Sequence, residues 1–170
     1  MAWKTGLNAP LGVPQIDPTT IDTSEEYPVG TIVTGYDDTQ GYGEFIYLPG
    51  VAAVVEGDLV VYDLVPGAEA IVRATTALAN SGRLVAVALG AVVAGTFGWF
   101  QITGVAIVNV AAAFAAGNKV MLTAVAGVVD DAAVAGSQLI GAISSSAIGT
   151  PAANKAYVTI NRPSIQSQIT

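Results

Sequence analysis

Thirteen carboxylates are the side chains of this 170-residue chain best suited to chemistry, because it contains neither cysteine nor histidine. Without cysteine there is no thiolate nucleophile, thiolate metal site or disulfide. Without histidine there is no Ser-His-Asp or Cys-His pair, no His-ligated zinc, and no side chain that titrates near neutrality without a large shift. Paired carboxylates could still hydrolyse glycosides or hold calcium. Three pairs occur, Glu25-Glu26, Asp37-Asp38 and Asp130-Asp131. Asp37-Asp38-Thr39-Gln40-Gly41 lacks the alternating oxygen ligands and distal glutamate of a calcium loop and has the composition of a surface turn. Asp130-Asp131 reads as the loop leaving a short strand. Glu25-Glu26 reads as part of a solvated arm, or as a contact for a basic partner. Ser144-Ser145-Ser146 sits in no Gly-x-Ser-x-Gly elbow and has no base nearby, so a polar loop is expected. The glycines form no nucleotide-binding fingerprint. No catalytic residue, cofactor or metal ligand is expected, and the chain is read as a non-enzyme; a glycan hydrolase using Asp130 and Asp131 is the enzymatic alternative.

Charge narrows the partners. The formal net charge is −7, and eleven of the thirteen acids lie between Asp17 and Glu69. Lys4, Arg73, Arg83, Lys119, Lys155 and Arg162 are scattered, so no basic stripe can track a phosphate backbone and no nucleic-acid partner is expected. From Leu84 to Val129 the one charged residue is Lys119. That stretch is broken by Gly90, Gly95, Gly98, Gln101, Gly104, Asn109 and Gly117, which suits short strands better than a spanning helix of about 20 residues. No membrane partner is expected, and Met1 to Gly6 lacks the basic and apolar segments of a secretory signal. Hydrophobic residues make up 52% and charged ones 11%, a balance that predicts a surface partly covered by other subunits.

The elements that would position these residues read as all-β: a compact β-barrel or β-sandwich-like domain of short strands with an extended, Pro-rich N-terminal arm. Pro10, Pro14, Pro18 and Pro28 punctuate residues 1–42, and each biases its neighbourhood toward extended backbone. Trp3, Leu7, Leu11, Val13, Ile16 and Ile21 are spaced along this arm as candidate anchors on a neighbour. The β domain is placed at 43–162 and a C-terminal tail at 163–170, although β-branched runs already begin near Gly30. Strands are predicted at Thr31–Thr34, Glu44–Leu48, Asp58–Tyr62, Ala70–Ala74, Leu84–Leu89, Gly98–Thr103, Val105–Val110, Lys119–Leu122, Gly127–Val129, Leu139–Ile143 and Ala156–Ile160. Ala111–Gly117 is expected to make a short helical turn. Trp99 and Phe100 alternate faces on a strand, one filling the core and the other facing a subunit interface. An internal echo is also present. Val55–Tyr62 resembles Ala115–Leu122, Arg83–Ala88 resembles Gln138–Ile143, and Trp99–Thr103 resembles Tyr157–Ile160, which suggests two related half-barrels.

The succession Tyr27-Pro28-Val29-Gly30-Thr31, Gly43-Glu44-Phe45-Ile46-Tyr47-Leu48, Gly57-Asp58-Leu59-Val60, Gly98-Trp99-Phe100-Gln101-Ile102-Thr103-Gly104 and Ala116-Gly117-Asn118-Lys119-Val120 resembles the capsid decoration, or cement, proteins of tailed bacteriophages. The resemblance covers roughly residues 27 to 162. It implies a structural virion protein on the outer surface of the capsid, a homotrimer that clamps neighbouring major capsid protein subunits and carries no catalytic residues. In that setting an extended arm could add a strand to a capsid sheet edge. The alternative is another virion component, such as a head-fibre base, tail-tube or spike module; a carbohydrate-binding surface module is a further one.

Overall fold

The computed structural model describes residues 4–5, 17–65 and 69–168. It is nearly all β, as its β-branched runs and Gly, Asn and Asp turns dictate. The strands are β1 (Lys4–Thr5), β2 (Ile21–Asp22), β3 (Ile32–Asp37), β4 (Gly41–Pro49), β5 (Leu59–Asp63), β6 (Ala70–Arg73), β7 (Leu84–Ala88), β8 (Phe97–Asn109), β9 (Lys119–Leu122), β10 (Val129–Asp130), β11 (Gln138–Ser144) and β12 (Lys155–Ile165). One turn of 3-10 helix, Thr76–Leu78, is the sole helical element among the described residues.

The two strands expected at Gly98–Thr103 and Val105–Val110 are one continuous strand, β8. It stays continuous because Gly104 has φ of 101°, and a Cβ there would lie 2.3 Å from the Tyr42 carbonyl oxygen. Only glycine tolerates both the left-handed backbone and that approach. The first half of β8 pairs with β4, ending with Pro49 opposite Phe97. The second half pairs with β12, ending with Asn109 opposite Lys155. Residue 109 lies 60 beyond 49, and 155 lies 58 beyond 97, so the two ladders are the same ladder built twice.

The repetition extends through the loops. Gly57 N donates to Ala88 O and Ala88 N to Asp58 O, at 2.8 and 2.9 Å; Gly117 N donates to Ser144 O and Ser144 N to Asn118 O, at 2.9 and 3.0 Å. Ala53 and Ala113 both have positive φ, 62° and 70°, and Val54 and Phe114 beside them are both fully buried. Hence Ala111–Gly117 is not a helical turn. A left-handed residue at Ala113 stops a right-handed helix, and Phe114 is drawn inward as an anchor. Units β4–β8 and β8–β12 are the two related halves, sharing β8.

Two cores result. Leu59 and Val61 of β5 and Val85 and Val87 of β7 face one, with Ala106, Val108, Phe114, Leu122, Val158 and Ile160. A hydrogen-bonded circuit surrounds it, from β5 through β7, β12, β11, β9 and β10, and returns where Leu59 N donates to Gly127 O at 2.9 Å. Val60, Tyr62, Ala86 and Ala88 face the other, with Ile46, Leu48, Phe100 and Ile102. Strands β5 and β7 are thus covered on both faces, which is why they read as unbroken apolar runs.

The boundaries at 42/43 and 162/163 shift. Ile32–Asp37 lies on the arm side of the first, yet it forms a six-pair hairpin with β4. Earlier residues dock as well: Ile21 and Asp22 pair with Gly98 and Phe97. Tyr27 packs its ring 5.4 Å from Tyr47 and 5.3 Å from Trp99. Aromatic area is held to the core because it removes large apolar surface from water. At the other end β12 runs to Ile165, which is buried, and Ser167 bridges to Ser81.

Two predictions arise here. Ala53→Gly and Ala113→Gly should each stabilise the fold by about 0.5–1 kcal/mol, because the left-handed cost to alanine outweighs the extra entropy of unfolded glycine; denaturant unfolding measures it, and destabilisation at both sites would contradict the assigned backbone. The Tyr47 hydroxyl donates to Asp22 at 2.7 Å. Burial first, and then that bond, push its phenol up to about 12. A raised folded pKa means the contribution to stability is complete below the unfolded value near 10 and lost as pH rises through about 12. Burial raises the Tyr62 phenol as well, so phenolate absorbance should show late-titrating tyrosines of which Tyr47→Phe removes one; all six tyrosines ionising together would contradict this.

Candidate functional site

Asp37, Asp130 and Asp131 hold loops together. Asp37 Oδ1 accepts hydrogen bonds from Thr39 N and Gln40 N at 2.8 and 3.0 Å, an Asx turn that closes the β3–β4 hairpin. Asp131 Oδ2 accepts from Asn118 Nδ2 at 2.7 Å and from Ala115 N at 3.2 Å. The Asn118 bond is the main reason its carboxyl is held below the usual range. Asp130 is turned to the Asp131 amide at 2.8 Å. Among the described residues no three acidic side chains converge as metal ligands.

The serine cluster behaves the same way. Ser144, buried, accepts from Asn118 N at 2.7 Å and lies 2.8 Å from Ala115 O. Ser145 bonds Thr159 at 2.7 Å, and Ser146 accepts from Tyr157 N at 2.8 Å. Ser144 thus fastens the end of β11 to the 115–118 turn, and Ser145 and Ser146 fasten the following loop to β12. A nucleophile needs a base in hydrogen-bond reach, and histidine is absent from the chain.

Asp58 is the most deeply buried carboxylate, at 1% exposure. It accepts from Arg73 Nε at 2.8 Å, Asn109 Nδ2 at 3.0 Å and Val55 N at 3.1 Å, while Arg73 Nη2 donates to Ala126 O at 2.7 Å. Asp58 therefore ties β5, β6, the end of β8 and the 126–127 loop at one point. The sequence marked it only as a Gly-Asp turn; its role as a hub depends on Arg73 and Asn109, 15 and 51 residues away. The matching position in the second unit is Asn118, whose amide serves Asp131 instead.

The expected interface residues fare unevenly. Trp99 and Phe100 do alternate faces, but both are buried within the chain, at 1% and 0%. Trp99 joins Phe45 and Tyr47 in an aromatic cluster and Phe100 joins the second core. Neither is free to face a subunit, because β8 is covered on both sides, by Tyr27 over Trp99 on one and by Ile46 with Val60 on the other. Ile21 is 40% exposed and is held by β8. Trp3, Leu7, Leu11, Val13 and Ile16 lie outside the described residues.

The exposed large hydrophobic side chains are mostly aliphatic, Tyr42 at 69% being the aromatic exception. Leu64, Val65, Leu84 and Ile140 are 38–53% exposed. Leu84 sits opposite Ser164 in one ladder and Ser164 opposite Ile140 in the next, so Leu84 and Ile140 lie in one row across three strands. Beside that row Tyr62, Asp63, Leu64, Val65, Gly82, Arg83 and Leu84 line an open cleft of about 520 Å³. Leu84 shares a strand face with the buried Ala86 and Ala88. It is exposed because it stands at the strand end, past the residues that cover the other two.

Asp58→Asn should destabilise the fold by about 3 kcal/mol, since it removes a buried charge while leaving Arg73 and two further donors facing an amide; a loss under about 1 kcal/mol in denaturant unfolding would contradict the hub assignment. Compared with protein-family models, curated proteins and solved structures, the chain matches none.

Proposed function

We propose that the chain is a non-catalytic structural protein of a virion, bound to the outer surface of a tailed-phage capsid as a homotrimer that bridges neighbouring major capsid subunits. The observation that carries this reading is the contrast between its polar and apolar groups. Described carboxylates and hydroxyls that might have served chemistry fasten loops, whereas the large exposed side chains beside the cleft are aliphatic. Surfaces of that kind meet other proteins. A doubly built, two-core β domain also suits a part that must stay rigid under load.

The pairing of β1 with β3 supports an arm that adds strands. Lys4 lies opposite Tyr36 and Thr5 opposite Gly35, so the N-terminal segment can lie along a sheet edge, the interaction through which an arm would engage a capsid subunit. Backbone hydrogen bonds supply the affinity in such contacts and ask little of side chains.

Co-sedimentation with expanded and unexpanded capsid shells tests the reading. The full chain should bind in saturable, high copy, and a chain lacking residues 1–16 should bind more weakly while keeping its fold. Absence of binding to either shell would overturn it in favour of a tail, fibre or spike component.

A further inference from the structure

The cleft beside Leu84 holds two opposite charges that do not meet. Asp63 and Arg83 both line it, yet no ion pair joins them, and the ion pairs of the described residues use Arg73, Lys155 and Arg162. Among the described residues neither charged group meets an opposite charge. Tyr62, Leu64, Val65 and Leu84 line the cleft with them. Everywhere else in this chain charge is used sparingly, at 11% of residues. Asp58, Glu44 and Glu56 each have a basic partner.

We infer that this cleft is a self-association surface, in which Arg83 of one copy pairs with Asp63 of the next while Leu64, Val65 and Leu84 pack against their counterparts. The charge pattern selects a second copy of this chain as occupant. A foreign segment would need both an acid and a base spaced to match, whereas a second copy brings that pair by construction. In a closed ring every Arg83 meets an Asp63 and every Asp63 an Arg83, so no charge is stranded when the aliphatic rim loses water. The contact replaces Trp99 and Phe100, which are buried, as the place where copies meet. It does not depend on shell binding, so the two can fail separately.

Sedimentation velocity and light scattering across a concentration series test it, with folding of each variant verified by circular dichroism. The wild-type chain should form a closed oligomer, a whole multiple of 17.1 kDa. Asp63→Arg and Arg83→Asp each place like charges face to face and should weaken association by roughly tenfold or more. The double variant Asp63→Arg/Arg83→Asp restores opposite charges and should recover the oligomer. Lys119→Glu, an exposed cation on β9, should leave it unchanged. A chain that stays monomeric at all concentrations would overturn the inference, as would an oligomer indifferent to both single reversals or a double variant that is not rescued.

Discussion

The architecture depends on the passage of β8 through Gly104. Thr103 is paired with both β4 and β12, and from Gly104 onward the strand serves β12, while a Cβ at Gly104 would lie 2.3 Å from the Tyr42 carbonyl oxygen. A side chain there would force β3–β4 away from β8 or break β8 in two. Because the strand continues, both halves of the chain hang on a common wall and two cores can share β5 and β7. Covering both faces of those strands buries Val60 and Val61, Val85 and Ala86, with almost no exposure. The arrangement also explains the small side chains of β7, since alanine at 86 and 88 leaves room for Phe100 and Ile102 opposite.

Doubling the unit has a consequence for the polar groups. Each half needs its Gly-Asp or Gly-Asn loop fastened to the neighbouring strand, and each uses a carboxylate to do so, Asp58 in the first and Asp131 in the second. In the first the carboxylate is buried and paired with Arg73; in the second it is near the surface and bonded to an amide. One structural demand is met by two chemistries, a buried ion pair in the first unit and a bond to an amide in the second.

The strands were legible because their signals are local: β-branched runs ended by Gly57, Gly95, Gly117 and Asn80. The echo was legible from Val55 onward, but its beginning at Val51 and Ala111 was not, since nothing about Ala53 or Ala113 announces a left-handed backbone. The arm's extent was misjudged for a long-range reason. Tyr27 looks isolated in sequence, and only the distant Trp99 and Tyr47 give it a place. Trp99 and Phe100 show the same limit from the other side. Alternation puts them on opposite faces, as found, but says nothing of what covers each face. The Asp63–Arg83 cleft was invisible because it is assembled from the ends of two strands 20 residues apart.

The central claim is that this chain is a structural part of a shell and not a reagent, and copy number in intact particles addresses it most directly. Quantitative mass spectrometry of purified virions of the source virus should find the chain in a fixed, high ratio to the major capsid protein. A trace ratio, or absence from the particle, would contradict the account.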